Sequence, residues 1–165
     1  MRYMRVVATL VVASVLTGAA MAANDSTAVV KVRATSLGKT LVAANGKTLY
    51  MFAHDTSTKS TCSGSCATYW PPLYTTGKPT AGPGVHANLL GTTHRTDGKL
   101  QVTYHGHPLY FFAEDKKAGQ VKGEGFTAFG AKWWAVSPAG TKVAPAGATT
   151  TTAPTTTSGG GGGYG

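Results

Sequence analysis

Two aspartates recur in one setting: Tyr50, Phe52 and Asp55 have the same spacing as Tyr110, Phe112 and Asp115. Paired carboxyl groups facing each other across a cleft can do general acid/base work, one holding a proton while the other takes one. A carboxylate just past a strand end does something plainer: it accepts the backbone N–H groups of the next turn. The spacing favours the plainer role. Residues two apart share a strand face, so each Tyr is expected to stack beside its own Phe, with the Asp falling beyond the strand. These six positions are therefore expected to be structural, and no catalytic residue is assigned.

His54, His105 and His107 are the candidates for holding copper or zinc. His105 and His107 flank Gly106, so their rings need not face one side. Surface histidines without a ligand role are commoner, and no metal or other cofactor is assigned. Cys62 and Cys66 are the whole cysteine complement, which in an exported chain reads as a disulfide, with Gly64 free to turn between them. A ring this small is worth about 2 kcal/mol by loop entropy and pins a loop. With both thiols oxidised, a Cys/His nucleophile is unavailable. No Gly-x-Ser-x-Gly elbow is present for serine chemistry. Gly123-Glu124-Gly125 is not followed by the helix a phosphate cradle needs.

The aromatic residues remain. Tyr69, Trp70, Tyr74, Tyr104, Trp133 and Trp134 could form a platform for a sugar or an apolar ligand. Trp70, Tyr74, Tyr104 and Trp134 are the candidate binding residues, and packing in the core is the competing role.

The elements that place these residues come from a duplication. Set without gaps, Gly38–Asp55 (GKTLVAANGKTLYMFAHD) meets Gly98–Asp115 (GKLQVTYHGHPLYFFAED), and half of the aligned pairs are identical. The identities are Gly38/Gly98, Lys39/Lys99, Val42/Val102, Gly46/Gly106, Leu49/Leu109, Tyr50/Tyr110, Phe52/Phe112, Ala53/Ala113 and Asp55/Asp115. Leu100, Val102 and Tyr104 alternate with Gln101 and Thr103, the period of a half-buried strand. Asn45-Gly46, Asp97-Gly98 and His105-Gly106 are hairpin turns. Leu49–Ala53 and Leu109–Ala113 are apolar on both faces, as in central strands. Further strands are expected over Val29–Ala34, Leu89–Thr96 and Lys132–Ser137, with one helical turn at Cys66–Trp70 stopped by Pro71-Pro72. The fold class is all-β: a duplicated hairpin or meander closing into a small sandwich or barrel, over residues 28–141, with repeats of about 37–75 and 97–140.

Residues 1–22 read as a signal peptide: Arg2 and Arg5, an apolar run from Val6 to Gly18, then Ala20-Met21-Ala22. The run is too short to span a membrane. Residues 142–165, rich in Thr, Ala, Pro and Gly, lack the apolar content to fold and are expected to be disordered. The net charge of +9, or +7 without the two leader arginines, is spread over scattered lysines with one adjacent pair, Lys116-Lys117, and no run of five, which argues against nucleic acid. It suits loose attraction to anionic envelope components. A monomer is the default.

The pattern Gly-x-x-Leu-Tyr-x-Phe-x-x-Asp, then Cys62-x-Gly64-x-Cys66-Ala67-x-x-Trp70-Pro71-Pro72-Leu73, then the second Leu-Tyr-Phe-Phe-x-x-Asp closing on Trp134 and Pro138, resembles a bacterial secreted-repeat family of lipoproteins with a Tyr-x-(Phe/Trp/Tyr)-x-x-Asp motif. The match runs from about Leu37 to Gly140. It implies an envelope or extracellular protein of undefined role, in some members linked to alkane utilisation. The lipid-bearing cysteine is missing here. The expected function is a non-enzymatic binding or interaction module outside the cytoplasm, periplasmic or extracellular. The alternatives are copper or zinc handling and an accessory role in hydrocarbon use.

Overall fold

The computed structural model describes residues 26–56 and 58–143. The expected leader, and the tail beyond Val143, lie outside the described residues.

Each repeat opens with an antiparallel pair. In the first, β1 (Val29–Thr35) pairs with β2 (Gly38–Ala43), Val30 opposite Ala43 and Val32 opposite Leu41. In the second, β6 (Leu90–His94) pairs with β7 (Leu100–Tyr104), Leu90 opposite Tyr104 and Thr92 opposite Val102. The first paired strands of the two halves are thus β1 and β6. Short strands complete three small sheets. β5 (Thr80–Ala81) runs parallel to β1, β4 (Tyr74–Thr75) and β8 (His107–Pro108) flank β7, and β3 (Tyr50–Phe52) pairs with β10 (Ala131–Ala135), which also pairs with β9 (Thr127–Ala128). One helical turn, α1 (Ser65–Tyr69), precedes the two prolines. The chain is all-β in class, its described strands forming three small sheets.

The gap-free alignment holds at Leu49/Leu109 and slips by one in the strand before. Leu41 accepts the Leu49 N–H and donates to the Val136 carbonyl; the residue doing the same between Leu109 and Leu73 is Val102. Leu41 and Val102 are both fully buried, so they are the structural equivalents, and the identity Val42/Val102 is not. The slip arises in the loops. The first repeat has a two-residue loop between Thr35 and Gly38, then a three-residue loop closed by Gly46 at φ 79°. The second reverses the order: three residues closed by Gly98 at φ 78°, then the two-residue loop His105-Gly106. Both loop lengths are standard hairpin closures, and Gly supplies the left-handed position each requires.

The Leu-Tyr-x-Phe segments are covered on both sides, as their composition implied. Leu49, Met51 and Leu109 enter an aliphatic cluster with Val30, Leu41, Leu73, Val102, Tyr104 and Val136. Tyr50, Phe52, Tyr110 and Phe112 enter an aromatic cluster with Trp70 and Trp133. Alternate residues of one strand therefore feed two cores. The second segment, however, is not a full strand. Its neighbour is Tyr69–Pro72, where Phe111 and Ala113 donate to the Pro71 and Tyr69 carbonyls. Pro71 stands where β10 has Trp134 and has no N–H to return, so half of that ladder is missing. At the other end the fold reaches past residue 141: Val143 is buried and donates to the Ala135 carbonyl, and Lys142 bridges to Val136.

Candidate functional site

The recurring Tyr and Asp meet across the duplication. Tyr50 and Tyr110 exchange backbone bonds of 2.8 and 2.9 Å, marking an approximate dyad. From there the Tyr50 hydroxyl donates to Asp115 Oδ2 at 2.6 Å, and the Tyr110 hydroxyl donates to Asp55 Oδ2 at 2.6 Å. Each carboxylate also gathers its own turn, as expected: Asp55 Oδ1 accepts from the Thr61 N–H and hydroxyl, and Asp115 Oδ1 from the Lys122 N–H. Burial, reinforced by the partner carboxylate, pushes both tyrosine hydroxyls well above their ordinary range, so both stay protonated donors. The Asp115 carboxyl is also pushed up by its burial. Every lone pair used here faces inward. Asp55 and Asp115 are both buried, and each is bonded to the tyrosine of the other repeat.

The rings cross in the same way. Phe52, Trp133, Trp70 and Phe112 form one stack, with centroid spacings of 4.1, 3.9 and 4.3 Å. Each tryptophan thus lies on the phenylalanine of the other repeat. Tyr50 meets Trp70 edge-on at 5.5 Å, and Tyr110 meets Trp133 edge-on at 5.1 Å. The expected stacking of each Tyr on its own Phe gives way to this cross-packing; Tyr50 contacts Phe112 instead, at 6.4 Å. The stacked Trp–Phe contacts thus run between repeats and the edge-on Tyr–Trp contacts within each, both favoured aromatic geometries.

One end of the stack opens to solvent. A cavity of about 540 Å³ is lined by Tyr69, Trp70, Phe112, Phe126, Ala128 and Phe129, with Glu114 and Lys122 also on its wall. Trp70 and Phe112 are buried beneath it, while Tyr69, Phe126 and Phe129 are 56, 47 and 41% exposed. Phe126 leans on Trp70 and Phe112. Tyr69 and Phe129 pair with each other at 6.2 Å. Phe129-Gly130 is the two-residue turn between β9 and β10, and Phe129 holds φ 55°. A bulky residue in the left-handed region is a true outlier and costs about 1–2 kcal/mol.

The candidate binding residues do not gather at one place. Trp70 lies under the groove just described. Tyr104 is wholly buried, with its hydroxyl donating to the Pro138 carbonyl and accepting the His86 N–H, so it is core. Tyr74 lies elsewhere, beneath Lys99 and Arg95, and donates to Asp97. Trp134 is half-buried, with the Lys132 and Lys142 ammoniums over its ring at 5.5 and 5.0 Å. Phe126 and Phe129 carry little signal in the sequence because both sit in a glycine-rich stretch with no strand periodicity. The Phe-Gly turn dipeptide was the available signal.

His105 occupies a left-handed turn position beside Gly140, and His54 packs against Phe52. Burial, then the neighbouring His105, holds the His107 imidazole below its usual range. Among the described residues no three His, Cys, Asp or Glu are grouped to hold a metal ion. Cys62 and Cys66 are joined in a disulfide. Its loop is tied to β7 by Arg95, whose guanidinium donates to Ser60 Oγ, Gln101 Oε1 and the Cys62 carbonyl.

A family model described as a secreted repeat of unknown function matches the chain twice, over residues 31–74 and 91–137. The chain belongs to this family. The two matched spans begin near β1 and β6, where the hydrogen bonds also begin the two repeats. In this secreted repeat no helix among the described residues is long and apolar enough to cross a membrane. No match was found among curated proteins or solved structures.

Proposed function

We propose that this secreted repeat protein is a non-enzymatic binding module of the envelope or extracellular space, and that its ligand site is the groove of Tyr69, Phe126 and Phe129 over Trp70. The observation that carries the reading is Phe129, which combines a left-handed backbone with an exposed ring. Asn or Gly would close that turn at lower cost. A strained, exposed aromatic gains little from folding, and such strain collects at ligand sites. An apolar groove with a charged wall, of this size, is the usual form of a small-molecule site. The motif residues support the non-enzymatic half, since their hydroxyls and carboxylates satisfy one another.

The test is an NMR titration of the purified protein with an apolar aromatic probe. Shifts confined to Tyr69, Phe126, Phe129 and their neighbours are expected, weakened about tenfold by Phe129→Asn. A probe panel that leaves these resonances unmoved removes the reading.

A further inference from the structure

We infer that the ligand of this groove is a planar aromatic acid, a flat ring system carrying one carboxylate, held by stacking and by Lys122; the inference rests on the groove reading above. Three observations narrow the chemistry. First, the groove is lined by rings in two contacting sets, Phe126 with Trp70 and Phe112, and Tyr69 with Phe129. Offset or edge-to-face contact with such walls favours a ring beyond the area it buries, which an alkyl chain does not obtain. Second, polar capacity is small. Only Glu114 and Lys122 bring charged or amide side chains to the lining, and Glu114 is already paired with Lys116 at 3.6 Å. A sugar, with hydroxyls around its whole edge, would leave most of them without fixed partners. Third, Lys122 makes no ion pair among the described residues, and its backbone is anchored beside the groove because its main-chain N–H donates to Asp115 Oδ1 at 3.0 Å. One exposed ammonium beside an apolar slot fits one anionic group, and the chain's net positive charge draws anions from a distance.

The experiment compares 2-naphthoate, 2-naphthalenemethanol, decanoate and a chito-oligosaccharide, each titrated by NMR into the full mature protein, with sedimentation velocity alongside. Naphthoate is expected to perturb Tyr69, Phe126 and Phe129 and to bind about fivefold tighter than the neutral alcohol, the size of one exposed charge pair. Lys122→Gln should erase that difference without weakening the alcohol. If the alcohol binds as tightly as naphthoate, or decanoate or the sugar binds tighter, the ligand class is wrong while the groove stands. If no probe shifts the groove residues, the groove reading falls together with the inference. A dimer that Phe129→Asn dissociates would make a second copy of the chain the occupant and overturn the inference.

Discussion

Tyr50 and Tyr110 are equivalent by sequence, yet their environments make different demands. Asp55 keeps two donors from Thr61 if the Tyr110 hydroxyl is lost, whereas Asp115 would keep only the Lys122 N–H. Gly123 N–H would lose its acceptor as well, whereas Ser60 Oγ, which bonds the Tyr110 hydroxyl, keeps the Arg95 guanidinium. Tyr50→Phe should therefore cost more than Tyr110→Phe, about 2–3 against 1–2 kcal/mol, read by urea denaturation. Asp115 gives a pH signature. Its burial outweighs the Tyr50 and Lys122 bonds that lower it, so its carboxyl is held above the ordinary carboxylate range of about 4. The folded state then holds this proton to higher pH than the unfolded chain, and stability falls as pH rises from ~4 through the raised value. Glu124, half-buried where it accepts the Ala135 N–H, acts in the same sense. Asp115→Asn should show a flatter loss of melting temperature over that window than the unmodified protein. At the groove the sign reverses. Phe129→Asn relieves the left-handed strain and should raise stability by about 0.5–1 kcal/mol while weakening the ligand. A gain in stability with a loss of binding is what a residue kept for function shows.

At the scale of elements, the hairpins and their turns were legible because alternation and Asn-Gly, Asp-Gly and His-Gly dipeptides state them directly. Register was not. A two-residue and a three-residue loop exchange places between the copies, so the length change cancels and a gap-free alignment conceals the slip in β2 and β7. The half-made ladder at Leu109–Ala113 was also hidden, because its cause lies on a different segment, at Pro71. Two changes probe how elements hold the groove. Cys62→Ser with Cys66→Ser should cost about 2 kcal/mol and loosen α1, lowering affinity through Tyr69, since the lost cross-link closes the loop that α1 follows. Gly123→Ala places a Cβ 2.8 Å from the Trp70 ring and 3.0 Å from Tyr50, both buried. That overpacking should cost about 1–3 kcal/mol in chemical denaturation.

For the whole molecule, the duplication showed that two like halves exist, and the apolar Leu-Tyr-x-Phe runs showed that they share an interior. The exchange of partners was not readable, because a repeat states which residues recur and not which copy each one contacts. The groove was half visible: Trp70 and Tyr69 stood out as aromatics, while Phe126 and Phe129 come from a loop that folds over them from the other repeat. The crossed Tyr–Asp pairs are the joint on which the stack, and therefore the groove above it, is built. A double-mutant cycle tests that joint most directly. Tyr50→Phe combined with Asp115→Asn should show a coupling of about 1–3 kcal/mol, and Tyr50→Phe with Asp55→Asn should be additive within about 0.5 kcal/mol. Strong coupling within a repeat and none between repeats would contradict the crossed arrangement.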